Sequence, residues 1–228
     1  MEGNVRRGVI KGAVKAAIFY IIIAAILFTV PGKLDWWMAW VFLAVFIASY
    51  IVDLIILDPE LLAERSGVKE GNRKYDIILA MFMAWIGTFI VVLIAALDKR
   101  FGWSPIVPFW LQILGLLLIV LGSILITWAM ASNKFFSGVV RIQTDRGHTV
   151  SSMGPYRFLR HPGYLGAGLT YLGTPFTLGS LWAFVPVFLV IVDIVVRTAL
   201  EDGVLRRDLS GYIEYAGRVK YRLLPGIW

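Results

Sequence analysis

Long apolar runs separated by short polar segments dominate the first half of the chain. Four of these runs reach about 20 residues, the length that an α-helix needs to cross the hydrocarbon core of a bilayer. They are, roughly, Val9–Val30, Trp36–Leu57, Ile77–Leu97 and Phe109–Ala131. Pro31-Gly32 ends the first run and Asp58-Pro59 ends the second, because helical geometry is disfavoured immediately before a proline. The pattern predicts four membrane-spanning helices.

The pattern changes after residue 131. A polar connector, Ser132–His161, precedes a second apolar block, Gly163–Leu200, which Gly173-Thr174-Pro175 and Gly179-Ser180 interrupt. This block is long for one span and short for two, so it predicts a tight transmembrane helical hairpin. The remaining segment, Glu201–Trp228, is too charged to cross a membrane.

Composition agrees with this architecture, since 59% of the 228 residues are hydrophobic and only 16% are charged, against about 25% in soluble domains. We expect an all-α integral membrane protein that forms a single membrane domain, residues 1–228. Its two parts are four N-terminal spans (1–131) and a connector, transmembrane hairpin and cytoplasmic C-terminal segment (132–228). The chain has no cysteine, and its two histidines are too few for a His-rich site, so we predict no metal centre.

The basic residues predict an orientation. Lys and Arg concentrate on the cytoplasmic side of membrane proteins. With the N-terminus in the cytoplasm, only Lys33, Lys99 and Arg100 of the 22 basic residues fall on the outer side. The others, which include Lys69 and Arg73, fall on the cytoplasmic side. We therefore expect a multi-pass protein with both termini cytoplasmic. The net charge of +7 is explained by this bias and does not indicate a nucleic-acid partner.

Residues 154–166, GPYRFLRHPGYLG, carry the first candidate chemistry. Pro162 suits the first turn of a helix, and a helix N-terminus presents unpaired N–H groups and a partial positive charge that favour an anion. Arg160 and His161 add donors, and Tyr164 adds an aromatic face. A plain helix start with arginines reaching towards lipid headgroups is the alternative. The combination favours a site for a flat, partly anionic ligand at the membrane surface.

An acidic counterpart follows at the end of the apolar block. Asp193, Arg197 and Glu201 are spaced four residues apart, so they share one helix face. If the hairpin closes, Glu201 and Asp202 lie across from His161, and a zwitterionic amino-acid moiety would fit between them. The alternative is that Arg197 pairs with both acidic neighbours on its own helix and only orients it.

These motifs resemble the isoprenylcysteine carboxyl methyltransferase family, to which the phospholipid N-methyltransferases are related. The resemblance extends from Asn133 to the C-terminus. The matching segments are His148-Thr149-Val150, Gly154-Pro155-Tyr156-Arg157, Arg160-His161-Pro162-x-Tyr164, Arg197-x-x-x-Glu201-Asp202, Tyr212-x-x-Tyr215 and Val219-x-Tyr221-Arg222-x-x-Pro225. Where the family usually has two glutamates, this chain has Glu201-Asp202.

The resemblance implies an S-adenosylmethionine pocket that faces the cytoplasm between the connector, the hairpin and the C-terminal segment. It implies that His161, Pro162 and Tyr164 border the methionine portion, and that Glu201 and Asp202 accept from the amino group or ribose. The cofactor-binding set that it implies is completed by His148, Thr149, Val150, Gly154, Tyr156 and Arg160. It also implies Arg197 and Glu201 as catalytic residues, with Arg197 steering a substrate carboxylate.

The expected activity is methyl transfer to a carboxylate of a lipophilic or prenylated acceptor that enters from the bilayer. Such a nucleophile is already ionised, so alignment and exclusion of water suffice. An amine or phenol would need Glu201 or Asp202 as a proton acceptor. Two alternatives stay open at this point: a nicotinamide-dependent reductase of a lipid double bond, and a non-enzymatic membrane protein. The acceptor itself is not identified by the sequence.

Overall fold

The computed structural model describes residues 2–67 and 74–228, and the regular structure within these ranges is helical. The α-helices are α1 (Glu2–Thr29), α2 (Trp37–Ile56), α3 (Pro59–Glu64), α4 (Lys74–Met81), α5 (Thr88–Phe101), α6 (Phe109–Ala131), α7 (Pro162–Leu178), α8 (Phe184–Asp208) and α9 (Tyr212–Arg218). A π-helical segment, Phe82–Gly87, joins α4 to α5, and the connector contains short 3₁₀ turns at Thr144–Arg146 and Gly154–Arg157. The all-α prediction is confirmed. Lys69 and Arg73 lie outside the described residues.

Four stretches of the described chain are long and apolar enough to cross a membrane: Gly3–Thr29, Trp37–Ile56, Tyr75–Phe101 and Phe109–Ala131. They coincide with the four predicted spans. Large aliphatic side chains such as Ile21, Ile55 and Leu117 remain exposed on their outer faces, as expected where lipid replaces water. The chain is an integral, multi-pass membrane protein.

Helix α7 packs antiparallel against α6 through glycines. A Cβ atom on Gly122 would lie 2.5 Å from the Gly166 carbonyl oxygen, and one on Gly115 would lie 2.6 Å from the Gly173 carbonyl oxygen. Small residues let two helix backbones approach closely, which is a common way for helices to associate in membranes. The contact fixes the N-terminus of α7 beside the C-terminal end of α6, where the connector begins.

The two helices of the second apolar block are joined by a turn at Gly179, which has a φ of 69°. The predicted interruption at Gly173-Thr174-Pro175 was wrong, because α7 continues through Pro175 to Leu178. The hydroxyl groups of Thr174 and Thr177 donate to the carbonyl oxygens of Thr170 and Gly173, 2.8 and 2.9 Å away. The close backbone packing of α7 against α6 at Gly173 supports the helix next to this proline.

The end of α7 that lies farthest from the connector is tied down by Asp98, which is 3% exposed. Its carboxylate accepts the hydroxyl groups of Ser104 and Ser180, each at 2.5 Å, and the Ser104 N–H at 2.7 Å. This cluster joins the loop after α5 to the turn between α7 and α8.

The π-helical segment lies against α7 and α8. The Tyr171 hydroxyl donates to the Met83 carbonyl oxygen and is also 2.7 Å from the Thr88 hydroxyl. A Cβ atom on Gly87 would lie 2.6 Å from a methyl carbon of Val190. These contacts hold the third span against the hairpin and bring Met83 to the site described next.

Candidate functional site

A cavity of about 240 Å³ lies where the connector covers the N-terminus of α7 and the charged half of α8. Its wall includes connector residues between Asn133 and Arg141, the first turn of α7, and Arg197 and Glu201 of α8. Seven of the predicted site residues line it: His148, Tyr156, Arg160, His161, Tyr164, Arg197 and Glu201. Thr149, Val150, Gly154, Pro162 and Asp202 are not among the lining residues.

The start of α7 is held in place by the C-terminal segment. His161 caps the helix and Pro162 is its first residue. The N–H groups of Arg160 and His161 donate to the carbonyl oxygens of Tyr221 and Arg222, both at 3.0 Å. Since Gly163 lies in the first turn, its N–H has no partner within the helix. Residues 221 and 222 of the C-terminal segment therefore brace the binding motif from behind, while Glu201 and Leu205 of the same segment line the cavity.

Glu201 lies beside this helix start. The Tyr164 hydroxyl donates to Glu201 Oε2 at 2.7 Å, and both residues line the cavity. The predicted meeting of the acidic end of α8 with the Arg-His-Pro motif is what the structure has. The cavity thus presents a positive helix end and an acceptor carboxylate to the same space.

Asp202, the next residue, has another environment. Its side chain is fully buried. Five donors surround its two oxygens: Tyr212 Oη at 2.9 Å, Arg206 Nε at 2.9 Å, Arg222 Nε at 3.1 Å, Arg160 Nη2 at 3.4 Å and His161 Nε2 at 3.4 Å. Arg160 Nε lies 2.8 Å from Oδ1 as an ion pair. Burial alone would raise the pKa of this carboxyl group, but these hydrogen bonds and the charge of Arg160 outweigh it and hold the pKa well below its usual range.

The placement of Asp202 corrects the expectation that it accepts from the cofactor or takes a proton from the acceptor. Its oxygens already have donors, and the residue does not line the cavity. It instead joins α8 to the Arg-His-Pro motif and to the C-terminal segment. The only carboxylate among the described lining residues is that of Glu201.

Arg197 has a partner that the sequence did not suggest. Its Nε and Nη2 atoms lie 2.9 and 3.1 Å from the two oxygens of Asp76 in α4, and Nη2 also donates to the Gly138 carbonyl oxygen at 2.9 Å. Asp76 accepts the Val140 N–H as well, at 2.6 Å. The alternative in which Arg197 pairs with both acidic neighbours on α8 is therefore not what the structure has, and Arg197 instead fastens the connector to α4.

The opposite wall of the cavity is formed by His148 and Tyr156. His148 Nδ1 accepts the Gln143 N–H at 3.2 Å, and the two rings of His148 and Phe135 lie 4.5 Å apart. Burial, with help from nearby Arg141 and Arg146, lowers the pKa of His148 to about 4. His148 is therefore neutral here, and its ring is a flat, uncharged surface.

Three further predicted residues do not line the cavity. Gly154 has a φ of 56°, and a Cβ atom there would lie 2.1 Å from the Ser132 hydroxyl oxygen, so only glycine fits. Val150 packs against the buried cluster around Tyr212 and Tyr215. Thr149 is exposed.

Two lining or bracing residues were missed by the sequence analysis, Asp76 and Arg65. Asp76 stands immediately before the apolar run of the third span, and an acidic residue at the start of a span was the available signal. Arg65 follows α3, lines the cavity, and lies with its guanidinium carbon 4.9 Å from the centre of the Phe136 ring. Nothing in the sequence separates Arg65 from the other basic residues of its loop.

This geometry defines a class: a helical membrane protein with a polar cavity at one end of its spans, suited to a ligand that carries both charges. Residues 110–209 match the family model described as phospholipid methyltransferase. The chain is 29% identical over 118 residues to protein-S-isoprenylcysteine O-methyltransferase B of Arabidopsis thaliana. The matched region covers 48% of this chain and 57% of that protein. It is 27% identical over 104 residues to protein-S-isoprenylcysteine O-methyltransferase of Xenopus laevis, covering 45% and 34% of the two chains.

The fold is also similar to a solved structure, that of the eukaryotic intramembrane Ras methyltransferase, an isoprenylcysteine carboxyl methyltransferase. The TM-score is 0.58 with 20% identity, and the match covers 92% of this chain and 74% of the other. The predicted resemblance to the isoprenylcysteine carboxyl methyltransferase family is confirmed. The matched region spans between about a third and somewhat over half the length of the two curated relatives.

Proposed function

We propose that the protein is an S-adenosylmethionine-dependent methyltransferase that methylates the carboxylate of a lipophilic or prenylated acceptor. The observation that carries the proposal is the meeting of Glu201 with the N-terminus of α7 in one cavity of a membrane protein. The names of the relatives point to the same chemistry. The nicotinamide-dependent reductase receives no support from the comparisons.

The described residues fit the amino-acid end of this cofactor. A carboxylate would be received by the first-turn N–H of α7, where the helix dipole favours negative charge. An ammonium group would be received by Glu201, which the Tyr164 hydroxyl orients at 2.7 Å. The flat faces of His148 and Tyr156 would border a planar base on the opposite wall. When bound, S-adenosylmethionine would supply an electrophilic methyl group on a sulfonium.

The residues of the chain would contribute positioning rather than acid–base chemistry. An acceptor carboxylate is ionised at neutral pH and needs no base. Tyr164 and Glu201 would fix the donor, and the connector, fastened by Arg197 and Asp76, would cover the cavity and limit access of water. We propose that the hairpin α7–α8 crosses the membrane, with both termini in the cytoplasm. The methyl donor would then enter from the cytoplasm and the lipophilic acceptor from the bilayer.

The first experiment is calorimetric binding of S-adenosylhomocysteine to the purified protein in detergent, with NADPH as the comparison ligand. We expect S-adenosylhomocysteine to bind and NADPH not to bind. Glu201→Gln should weaken S-adenosylhomocysteine binding roughly tenfold to a hundredfold, since a charge-assisted contact to the ammonium is lost. Glu214→Gln, on the exposed surface of α9, is the matched control and should bind normally. Binding of NADPH alone would refute the proposal.

The family model favours a second acceptor class, an amine lipid. Methylation of an amine would require a proton acceptor, and Glu201 is the only described carboxylate in the cavity wall. The two classes are separated by transfer of radiolabelled methyl groups to an S-farnesylcysteine derivative with a free carboxylate or to phosphatidylethanolamine. We expect the carboxylate to be methylated. Transfer to the amine alone would replace the first acceptor by the second.

A further inference from the structure

The arginines in the wall of the cavity differ in how their charges are used. Arg160 is paired with Asp202 at 2.8 Å, Arg197 with Asp76 at 2.9 Å, and Arg141 with Glu64 at 2.7 Å and Asp145 at 3.0 Å. The side chains of these three arginines are 7% exposed or less. Each is committed to holding the protein together.

Arg65 is different. It lines the cavity, yet among residues 2–67 and 74–228 no carboxylate lies within salt-bridge distance of its guanidinium group. Its guanidinium carbon lies 4.9 Å from the centre of the Phe136 ring, a cation–π contact. A planar guanidinium that has no ion pair with a carboxylate of the described residues is suited to bidentate binding of a carboxylate ligand.

We propose that Arg65 binds the carboxylate of the methyl acceptor and so selects acidic over neutral acceptors. This role rests on the proposed function. It replaces the expectation that Arg197 steers this carboxylate, because the Nε and Nη2 groups of Arg197 are already bound by Asp76 and by the Gly138 carbonyl oxygen.

The position of Arg65 favours the acceptor over the carboxylate of the methyl donor. Arg65 ends α3, just after the second span, and its neighbour Phe136 packs with Ile126 against the apolar cluster of Leu57, Leu61 and Met130. Ile126 and Phe136 line the cavity too. This wall is apolar, as a lipid tail requires, whereas the groups suited to the donor, Glu201 and the start of α7, belong to the hairpin.

The test compares Arg65→Gln with wild type for two ligands. N-acetyl-S-farnesylcysteine and its carboxamide differ only in charge at the accepting group, and their binding is measured by calorimetry in the presence of S-adenosylhomocysteine. Wild type should bind the acid more tightly than the amide, and Arg65→Gln should lose that preference, with a rise in Kd of roughly tenfold to a hundredfold for the acid. In methyl transfer, KM should rise by a similar factor, while kcat changes little.

Three controls make the result specific. Arg65→Lys keeps the charge without the planar fork and should recover part of the preference. Arg157→Gln removes a charge from an exposed residue outside the cavity wall and should leave the acid's Kd unchanged. The Kd of S-adenosylhomocysteine should stay within about twofold in all variants, since a contact that does not touch a ligand leaves its affinity alone.

Each other outcome overturns the proposal. A loss of S-adenosylhomocysteine binding in Arg65→Gln would assign the guanidinium to the methyl donor. Equal acid and amide affinities in wild type, or an unchanged preference in Arg65→Gln, would leave Arg65 as a surface residue at the lipid headgroups. In these last two cases, S-adenosylhomocysteine binding to wild type would still uphold the proposed methyl-donor site, so the two failures are separable.

Discussion

The ion pair between Arg197 and Asp76 makes a strong prediction about stability. Both side chains are almost completely buried, 2% and 1% exposed, and the pair is bidentate. Asp76→Asn removes the negative charge while keeping the shape, so the Arg197 charge is left without compensation. Breaking a buried pair in this way costs about 3–5 kcal/mol of unfolding free energy. For a chain of this size, that corresponds to a fall in Tm of roughly 6–20 °C.

The assay is thermal unfolding in detergent, followed by tryptophan fluorescence. The double variant Asp76→Leu/Arg197→Met replaces the pair by apolar side chains and should recover most of the lost stability, because desolvation of both charges is avoided. Asp76→Asn should also weaken S-adenosylhomocysteine binding, since Asp76 accepts the Val140 N–H at 2.6 Å and Val140 lines the cavity. A fall in Tm below about 2 °C in the single variant would refute the reasoning.

Three further predictions concern other buried groups. Asp98→Asn should lower Tm by roughly 3–12 °C, because its charge-assisted bonds to two serines are weakened. It should leave the Kd of S-adenosylhomocysteine unchanged, since the Asp98 cluster lies at the end of α7 farthest from the connector. A changed Kd would contradict this prediction. The His148 pKa of about 4 lies below the value of 6.5 expected when unfolded, so stability is full above pH 6.5 and falls as the pH drops towards 4. In His148→Gln this part of the Tm–pH profile should flatten, and an identical profile would count against it. Asp193 is 6% exposed, and neither of its oxygens has a hydrogen-bond partner among the described residues. Because burial of an unpartnered polar group costs free energy, Asp193→Leu should leave Tm unchanged or raise it. A clear fall in Tm would reveal a partner for this carboxylate.

The four spans were predictable because a membrane imposes a length and a composition that any sequence can be searched for. Two helices in the second apolar block were predictable from its length, but the boundary between them was not. Pro175 indicates a break when only its missing N–H and its ring are considered. Its cost also depends on the packing of α7 against α6, which is a tertiary feature.

The candidate site was predictable in part. The Arg-His-Pro motif and Glu201 could be predicted as site residues from their residue types and from their positions at the two ends of the second apolar block. The different environments of Glu201 and Asp202 were not foreseeable, because successive residues on a helix point about 100° apart. Glu201 faces the cavity, whereas Asp202 faces the residues after α8. The rotation of α8 about its axis decides which of the two faces the cavity.

The pairing of Arg197 with Asp76 joins residues 121 positions apart, so local spacing carried no information about it. The nearer carboxylates on α8 looked like the natural partners, yet only the fold decides which acid reaches the guanidinium. That Arg65 has no ion pair among the described residues is harder still to foresee, since it depends on where each of their acidic side chains lies.

Arg65 and the groups proposed to bind the methyl donor come from different parts of the chain. The proposed donor half of the cavity, Glu201, Tyr164 and the start of α7, lies within residues 110–209, the region that matches the phospholipid methyltransferase model, and so do Ile126 and Phe136 of the apolar wall. Arg65 lies outside this region, at the end of α3. Because function depends on sites placed on a shared fold, the donor half can be kept while the residue at position 65 changes. If Arg65 selects acidic acceptors, then proteins that share the donor half but carry a neutral or acidic side chain in its place should methylate uncharged or amine acceptors. Arg65→Glu in this chain is the direct form of that change, and it should repel the acid while leaving the donor bound.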